Sequence, residues 1–454
     1  MEIINSALWP ALFLPLLLIC GLILTIRCRF LQFRRFGGAI SMVFKRQNNG
    51  GTITQFQAVC TALASTVGTG NIIGTAQAIA MGGQGAVFWL WISAVPAMII
   101  KYAEIFLGLR FRRKLNGEYI GGAMLYIEYG LGKRYKPLAV SYAFLAALSV
   151  ICMGCMAQIG GAVSALEHAA LEFGLASNHT RLLRLGLGLV LASVLYSVLS
   201  DGAQGVGRAS ALLVPFMSGL FMLFTVTIII CHAQRLPDVL QGIVRDAFSL
   251  RAAGGALSGL TLKQALHWGV RRGAFSNEAG LGYAAIAHGS TGGDPAEQGL
   301  WGIFEVFADT IVICTATALA ILCSGVEIPW GSVVGAELLQ SAAATVFGQK
   351  LSGLFVAVSL FLFGFSTVLG CSVYGLRCTG YLFGSGTDKA YGVVLCASAV
   401  IGSVMNTGAV WQAADTVNVL MSLPNFAALL LLSGLIGRES REYFEGKDNV
   451  DEPC

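Results

Sequence analysis

The sequence predicts an all-α polytopic membrane protein with about eleven transmembrane helices. Three observations predict it. Of 454 residues, 56% are hydrophobic and only 12% charged, with a mean hydropathy of +0.72; soluble domains carry roughly twice that share of charge. Apolar runs long enough to cross a bilayer lie near 7–26, 55–80, 86–109, 138–172, 183–200, 210–232, 264–288, 299–323, 350–382, 388–405 and 412–436. Two of these runs, 55–80 and 264–288, are interrupted by glycine and polar residues close to their middles.

The first run is too long for the apolar core of a signal peptide, and Met-Glu-Ile-Ile-Asn precedes it in place of a basic segment, so it reads as a retained span. Arg27, Arg29, Arg34, Arg35, Lys45 and Arg46 follow it. They place that loop in the cytoplasm and the N-terminus outside. The basic connection Arg110–Lys136 and the tail after Arg438 are cytoplasmic on the same count, whereas 81–85 and 406–411, without Lys or Arg, fall outside. The 233–263 connection breaks the pattern with Arg235, Arg245, Arg251 and Lys263, partly offset by Asp238 and Asp246. Its Leu236, Val239, Leu240, Ile243, Val244, Phe248 and Leu250 suggest an amphipathic helix, lying on the membrane or packed on the outer ends of the bundle. The expected organisation is 1–50, an N-terminal helix and basic loop; 51–232, a first group of five helices; 233–263, the outer loop; 264–436, a second five; and 437–454, a cytoplasmic tail.

With the first span set aside, the two groups of five echo one another. The break at Gly68–Asn71 matches that at Phe275–Gly280. Gln84-Gly85 before Phe88-Trp89 matches Gln298-Gly299 before Trp301 and Phe304. Five is odd, so the two groups must have opposite orientations: an inverted repeat. The net charge of +5 is spread over short loops and points to topology, with no call for nucleic acid. The pair Cys152 and Cys155 has no second pair beside it and reads as small apolar residues at a helix contact.

The chemistry gathers at the breaks. Gly68, Thr69, Gly70 and Asn71 are poor helix formers inside lipid, where every backbone group needs a partner. Their N–H groups can form a nest for an anion, and the half-helix that follows adds its positive end. The carbonyls of Ala64 and Val67 face the other way and suit a cation. Ser366 and Thr367, adjacent hydroxyls in the ninth run, can complete an oxygen cage of the kind a hard monovalent ion accepts. A zwitterionic amino acid beside Na⁺ fits this polarity, with Phe275 as an apolar wall and Asn277 or Gln158 for the ammonium. Four ionisable residues lie at membrane depth. Lys101 and Glu104, three apart on one face, can pair with each other. Glu278 and Asp309 can take a cation or proton, or hold Lys101 or Arg272. No GxxxxGK[ST], HExxH or GxSxG occurs, so ATP-driven pumping and membrane hydrolysis lack their usual signatures, and no enzyme is expected.

The run ALASTVGTGNIIGTAQAIAMGGQGAVFWLWISAVPAMIIKYAE, with FSNEAGLG, GIFEVFADT and FSTVLG, resembles the alanine/glycine:cation symporters, or sodium:alanine symporter family, over about residues 10–440. The resemblance implies a leucine-transporter-like fold: two inverted five-helix repeats, here with one extra N-terminal helix. It implies import of alanine or glycine with Na⁺, in some members H⁺, across a bacterial plasma (inner) membrane, with the N-terminus outside and the C-terminus cytoplasmic. It assigns the substrate carboxylate to Thr69, Gly70 and Asn71, the pocket wall to Gln158 and Phe275, and a sodium site to Ala64, Val67, Ser366 and Thr367. No protein partner is implied. One position departs: relatives usually carry Trp where this chain has Cys371, which predicts a roomier site for larger neutral amino acids such as glutamine or serine. The nearest alternative mechanism is proton coupling, with Glu278 as the carrier.

Overall fold

A computed structural model describes residues 8–44, 51–115, 118–172, 174, 180–248, 262–384, 386–405 and 407–451. The expectations resting on Lys45, Arg46, Leu250 and Arg251 lie outside the described residues. Helix α1 (Leu14–Arg27) continues a π-helical turn, Trp9–Phe13. The first interrupted passage comprises α2 (Gln55–Thr66) and α3 (Thr75–Gly82), joined by a π-helical turn at Gly70–Gly74. Helix α4 (Gly85–Arg110) follows, then a small antiparallel hairpin of β1 (Arg113–Leu115) and β2 (Glu118–Ile120). Next come α5 (Lys136–Ser149), a π-helical stretch at Val150–Ala157, α6 (Gln158–Glu172), α7 (Thr180–Leu199) and α8 (Gly202–Cys231).

The second half opens with α9 (Leu236–Ala247), then a second interrupted passage, α10 (Leu262–Asn277) and α11 (Tyr283–His288). Helices α12 (Pro295–Val306) and α13 (Thr315–Ser324) run on through the π-helical stretch Phe307–Cys314. They are followed by α14 (Glu337–Phe347), α15 (Gln349–Phe383), α16 (Asp388–Val404) and the 45-residue α17 (Thr407–Asp451). Among the described residues, eight helices are long and apolar enough to cross a membrane. The other three expected spans are the two interrupted passages and α16, which at 17 residues is one short of that length.

Two helices organise the bundle. Helix α4 is buried over almost its whole length and packs against α1, α10, α11 and α12. Helix α15 packs against α2, α5, α6 and α8. Its approach to α2 depends on Gly370, where an added Cβ would stand 2.7 Å from both the Ser65 nitrogen and the Thr61 oxygen. Small residues that admit backbone contact are how helices associate in lipid, which offers no hydrophobic drive of its own. The large apolar side chains that remain exposed, such as Leu212, Leu223 and Ile230 on α8, face the lipid. Helix α9 buries Val239, Ile243 and Ala247 against the bundle, and Trp89 Nε1 donates to the Ala247 oxygen at 3.0 Å. The helix thus packs on the bundle, while Leu240, Val244 and Phe248 stay exposed on its other side.

Candidate functional site

The first passage is interrupted at Val67–Gly68, a narrower break than the four residues expected. Val67 leaves the helical region with φ −77° and ψ 84°. Asn71 holds the turn together: its Oδ1 accepts from Gly68 N–H at 2.9 Å, and its own N–H donates to the Gly68 oxygen at 3.2 Å. The side chain thus replaces a backbone acceptor that the broken helix no longer supplies. The N–H groups of Thr69 and Gly70 then open the second half-helix, where a helix offers its amides no acceptor.

Asn71 also reaches across the bundle. Its Nδ2 donates to Asp309 Oδ1 at 2.6 Å and to Ser276 Oγ at 3.0 Å. Ser276 and Thr310 both donate to Asp309 Oδ2, at 2.8 and 2.9 Å. Asp309 therefore holds neither Lys101 nor Arg272. It binds both interrupted passages to the π-helical stretch of the eighth. The Asn71 side chain, fully buried and bonded at both ends, is occupied in the fold, so the carboxylate contact expected of it is not open to its side chain.

The second break, after Asn277, runs through Glu278, Gly280 and Gly282, all at positive φ (55°, 91° and 80°). Glycine adopts that region without cost, whereas for Glu278 it is an uncommon conformation. The freed N–H groups of Gly280 and Gly282 donate to Glu104 Oε1 at 2.9 and 3.0 Å, and Asn425 Nδ2 donates to the same oxygen at 2.7 Å. This corrects the expected pairing of Lys101 with Glu104. Glu104 serves the broken backbone, while Lys101 Nζ lies 3.1 Å from Glu305 Oε2, which also meets His288 Nε2 at 2.6 Å through Oε1. Glu278 accepts from Ser65 Oγ at 3.1 Å and forms no ion pair with Lys101 or Arg272.

Of the four residues expected to hold a cation, Ser366 meets Ala64 and Thr367 lies against Gly68, next to Val67 in the chain. Ser366 Oγ donates to the Ala64 oxygen at 3.4 Å, and Thr367 Oγ1 lies 2.6 Å from where a Cβ on Gly68 would stand, beside Val67. Both hydroxyls donate to the Phe363 carbonyl, at 2.8 and 2.9 Å. Phe363 is a fifth oxygen at this place, and sequence reasoning missed it. Its only signal is its position, three and four residues before the two hydroxyls.

A cavity of about 550 Å³ descends between α10 and α17 to Thr69 and Gly70, lined also by Ile73, Gln77, Phe275 and Trp411. A second, of about 510 Å³, lies between α6 and α15 and shares Thr69, Ile73 and Trp411. Phe275 forms a wall as expected: its ring stands 3.8 Å from where a Cβ on Gly70 would sit. Gln158 Oε1 accepts from Thr69 Oγ1 at 2.9 Å, which places it beside the start of the second half-helix. Asn277 is fully buried; it donates to Thr310 and accepts from Ala279 N–H, so neither end is left for an ammonium. Cys371 does not reach either cavity. It packs on Gly154, where a Cβ would stand 2.8 Å from its own. Among the described residues no group of three or more His, Cys, Asp or Glu is arranged to hold a metal.

Residues 1–453 match the sodium:alanine symporter family. The sodium/alanine symporter AgcS of Methanococcus maripaludis is 37% identical over 455 residues, covering 98% of this chain and 97% of that protein. The probable sodium/glutamine symporter GlnT of Bacillus subtilis is 35% identical over 458 residues, covering 99% and 91%. Among solved structures, MhsT in complex with L-phenylalanine superposes with a TM-score of 0.61 at 13% identity, over 86% of this chain and 90% of that one. At that identity the likeness concerns the fold, which is leucine-transporter-like.

Proposed function

The chain belongs to the sodium:alanine symporter family, transporters and not enzymes, and from that premise we propose that it imports alanine, glycine and related small neutral amino acids with Na⁺ by alternating access. The observation that carries this reading is the pair of oppositely polarised half-helix ends at one cavity. The substrate carboxylate is held by the Thr69 and Gly70 N–H groups, at a helix N-terminus. The ammonium is held by the free carbonyls that end α10, around Phe275. Na⁺ takes the oxygens of Ala64, Val67, Phe363, Ser366 and Thr367, a neutral donor set suited to a hard monovalent ion.

Because the cation and substrate sites share the Val67–Gly68 turn, ion binding orders the backbone that the carboxylate needs. By linkage the substrate raises ion affinity by the same factor. The cavity descends from the end that the charge pattern places outside, where Arg271 Nη2 meets Asp415 Oδ2 at 3.1 Å. This ion pair is the outer gate. The reading includes eleven crossings, an outside N-terminus and residence in a bacterial inner membrane. Similarity to a probable glutamine carrier supports a wider substrate range. The room for it comes from the cavity between α6 and α15 in place of Cys371.

The test is uptake into proteoliposomes. An inward Na⁺ gradient alone drives alanine uphill, with glycine, serine and glutamine competing. Uptake driven by a proton gradient without Na⁺ selects the proton-coupled alternative. Thr367→Ala raises the half-saturating Na⁺ concentration before it changes the alanine KM; an unchanged Na⁺ dependence means the ion binds elsewhere.

A further inference from the structure

The cavity above Gly70 carries more positive than negative charge. Arg271 and Asp415 neutralise one another and are largely buried, at 15% and 18% side-chain exposure. Arg272, one residue on, has no carboxylate within ion-pair distance among the described residues. One of its amino groups donates to Gln77 Oε1, its Nε is buried without a partner, and its guanidinium lies over the rings of Trp268 and Phe275, at 5.6 and 5.9 Å. A half-buried cation with an unpartnered Nε, facing a cavity, is favoured by an anion that visits it. Its position says which anion. The Arg272 stem crosses Gly74, with Cδ 3.6 Å from where a Cβ there would stand, and Gly74 lies one turn outward of Gly70 on the same half-helix. Arg272 and Gly70 line one cavity, so anything descending to the nest passes the guanidinium.

We propose that Arg272 is an outer carboxylate subsite, where an arriving amino acid rests its carboxylate before passing it one turn inward to Thr69 and Gly70. The proposal rests on the symporter reading above and adds a recognition step to it. The subsite reads the α-carboxylate and ignores the side chain. Guanidinium is suited to the task because its planar fork matches a carboxylate and is already oriented by the two rings.

Initial rates of alanine uptake by the full-length chain in proteoliposomes test it, with alaninamide, which lacks the carboxylate, as a competitor. Arg272→Gln raises the alanine KM about tenfold or more, the scale of one lost charge-assisted bond. The maximal rate and the half-saturating Na⁺ stay within about twofold, and inhibition by alaninamide is unchanged. Arg272→Lys, which keeps the charge, recovers part of the loss. Gln77→Glu offers the guanidinium a permanent internal anion and reproduces the KM defect with Arg272 intact, so a misfolded glutamine variant does not end the test. A KM within twofold of the parent in either folded variant, or equal weakening of alanine and alaninamide, overturns the subsite. Absence of Na⁺-driven uptake in the parent would instead sink the symporter reading, which separates the two failures.

Discussion

Gly68 and Gly70 stand two residues apart, and in the proposed mechanism they answer to different ligands. A methyl group on Gly68 would press on Thr367 Oγ1 at 2.6 Å, whereas one on Gly70 meets the Phe275 ring at an ordinary 3.8 Å. Gly68→Ala therefore raises the half-saturating Na⁺ concentration several-fold, while Gly70→Ala is accommodated by the fold and raises the alanine KM by occupying the approach to the nest. Sodium and alanine titrations of uptake on the two variants check this; reversed sensitivities would exchange the two sites. The approach of Ser366 to Ala64 and of Thr367 to the Val67–Gly68 turn was legible in the sequence because adjacent hydroxyls and a preceding broken helix are local features. Asn71 was legible as important but not in its task, since the bond from its side chain back to Gly68 depends on how far the helix unwinds. Asn277 was misjudged for a related reason: its amide is consumed by Ala279 and Thr310, the latter 33 residues away.

Each interrupted helix is repaired by a polar side chain from elsewhere, and the repair decides how much backbone stays bare. At the first break Asn71 covers Gly68, so the exposed amides are few. At the second, a single carboxylate oxygen of Glu104 takes two N–H groups and the Asn425 amide. Glu104→Ala leaves the two N–H groups of Gly280 and Gly282 buried and unpaired, each at about 1–3 kcal/mol. A melting temperature lowered by several degrees in detergent, with helix content retained before melting, is the expected result. A melt equal to the parent's would mean that water already satisfies those groups. The positions of the broken helices could be read from glycine and polar residues inside apolar runs. The capping residue could not, because Gly280 lies 176 positions from it.

On the scale of the molecule, the buried charges are shared among helices rather than paired along one. Lys101 on α4 meets Glu305 on α12, which meets His288 on α11, whose Nδ1 meets Gln298 Nε2 at 2.7 Å. Removing one member of a buried pair strands the other at a cost of about 3–5 kcal/mol, while replacing both by apolar groups can be nearly neutral. Lys101→Met is thus strongly destabilising, and Lys101→Met with Glu305→Met recovers most of the loss; thermal melts of the two proteins in detergent decide it, and additive losses would place the charges in water. The all-helical membrane fold and the positions of the two breaks were readable from hydropathy and from glycine inside apolar runs. Which charges meet across the bundle was not, because i,i+3 spacing offered Lys101 a near neighbour that the fold assigns elsewhere.

Helix α17, at 45 residues, is roughly 68 Å long, about twice the hydrocarbon thickness it crosses. Near one end Asp415 grips Arg271; toward the other Glu439 meets Arg110, Glu445 meets Arg29 and Lys447 meets Glu297. Between them Pro424 interrupts the helix's own hydrogen bonding beside Asn425, which is bonded to the Gly280 carbonyl. The helix is thus fastened at both ends and joined near its middle to the second discontinuity. Under the proposed mechanism, a solute that loosens the grip at Asp415 acts on a helix whose far end stays tied to Arg29, Arg110 and Glu297.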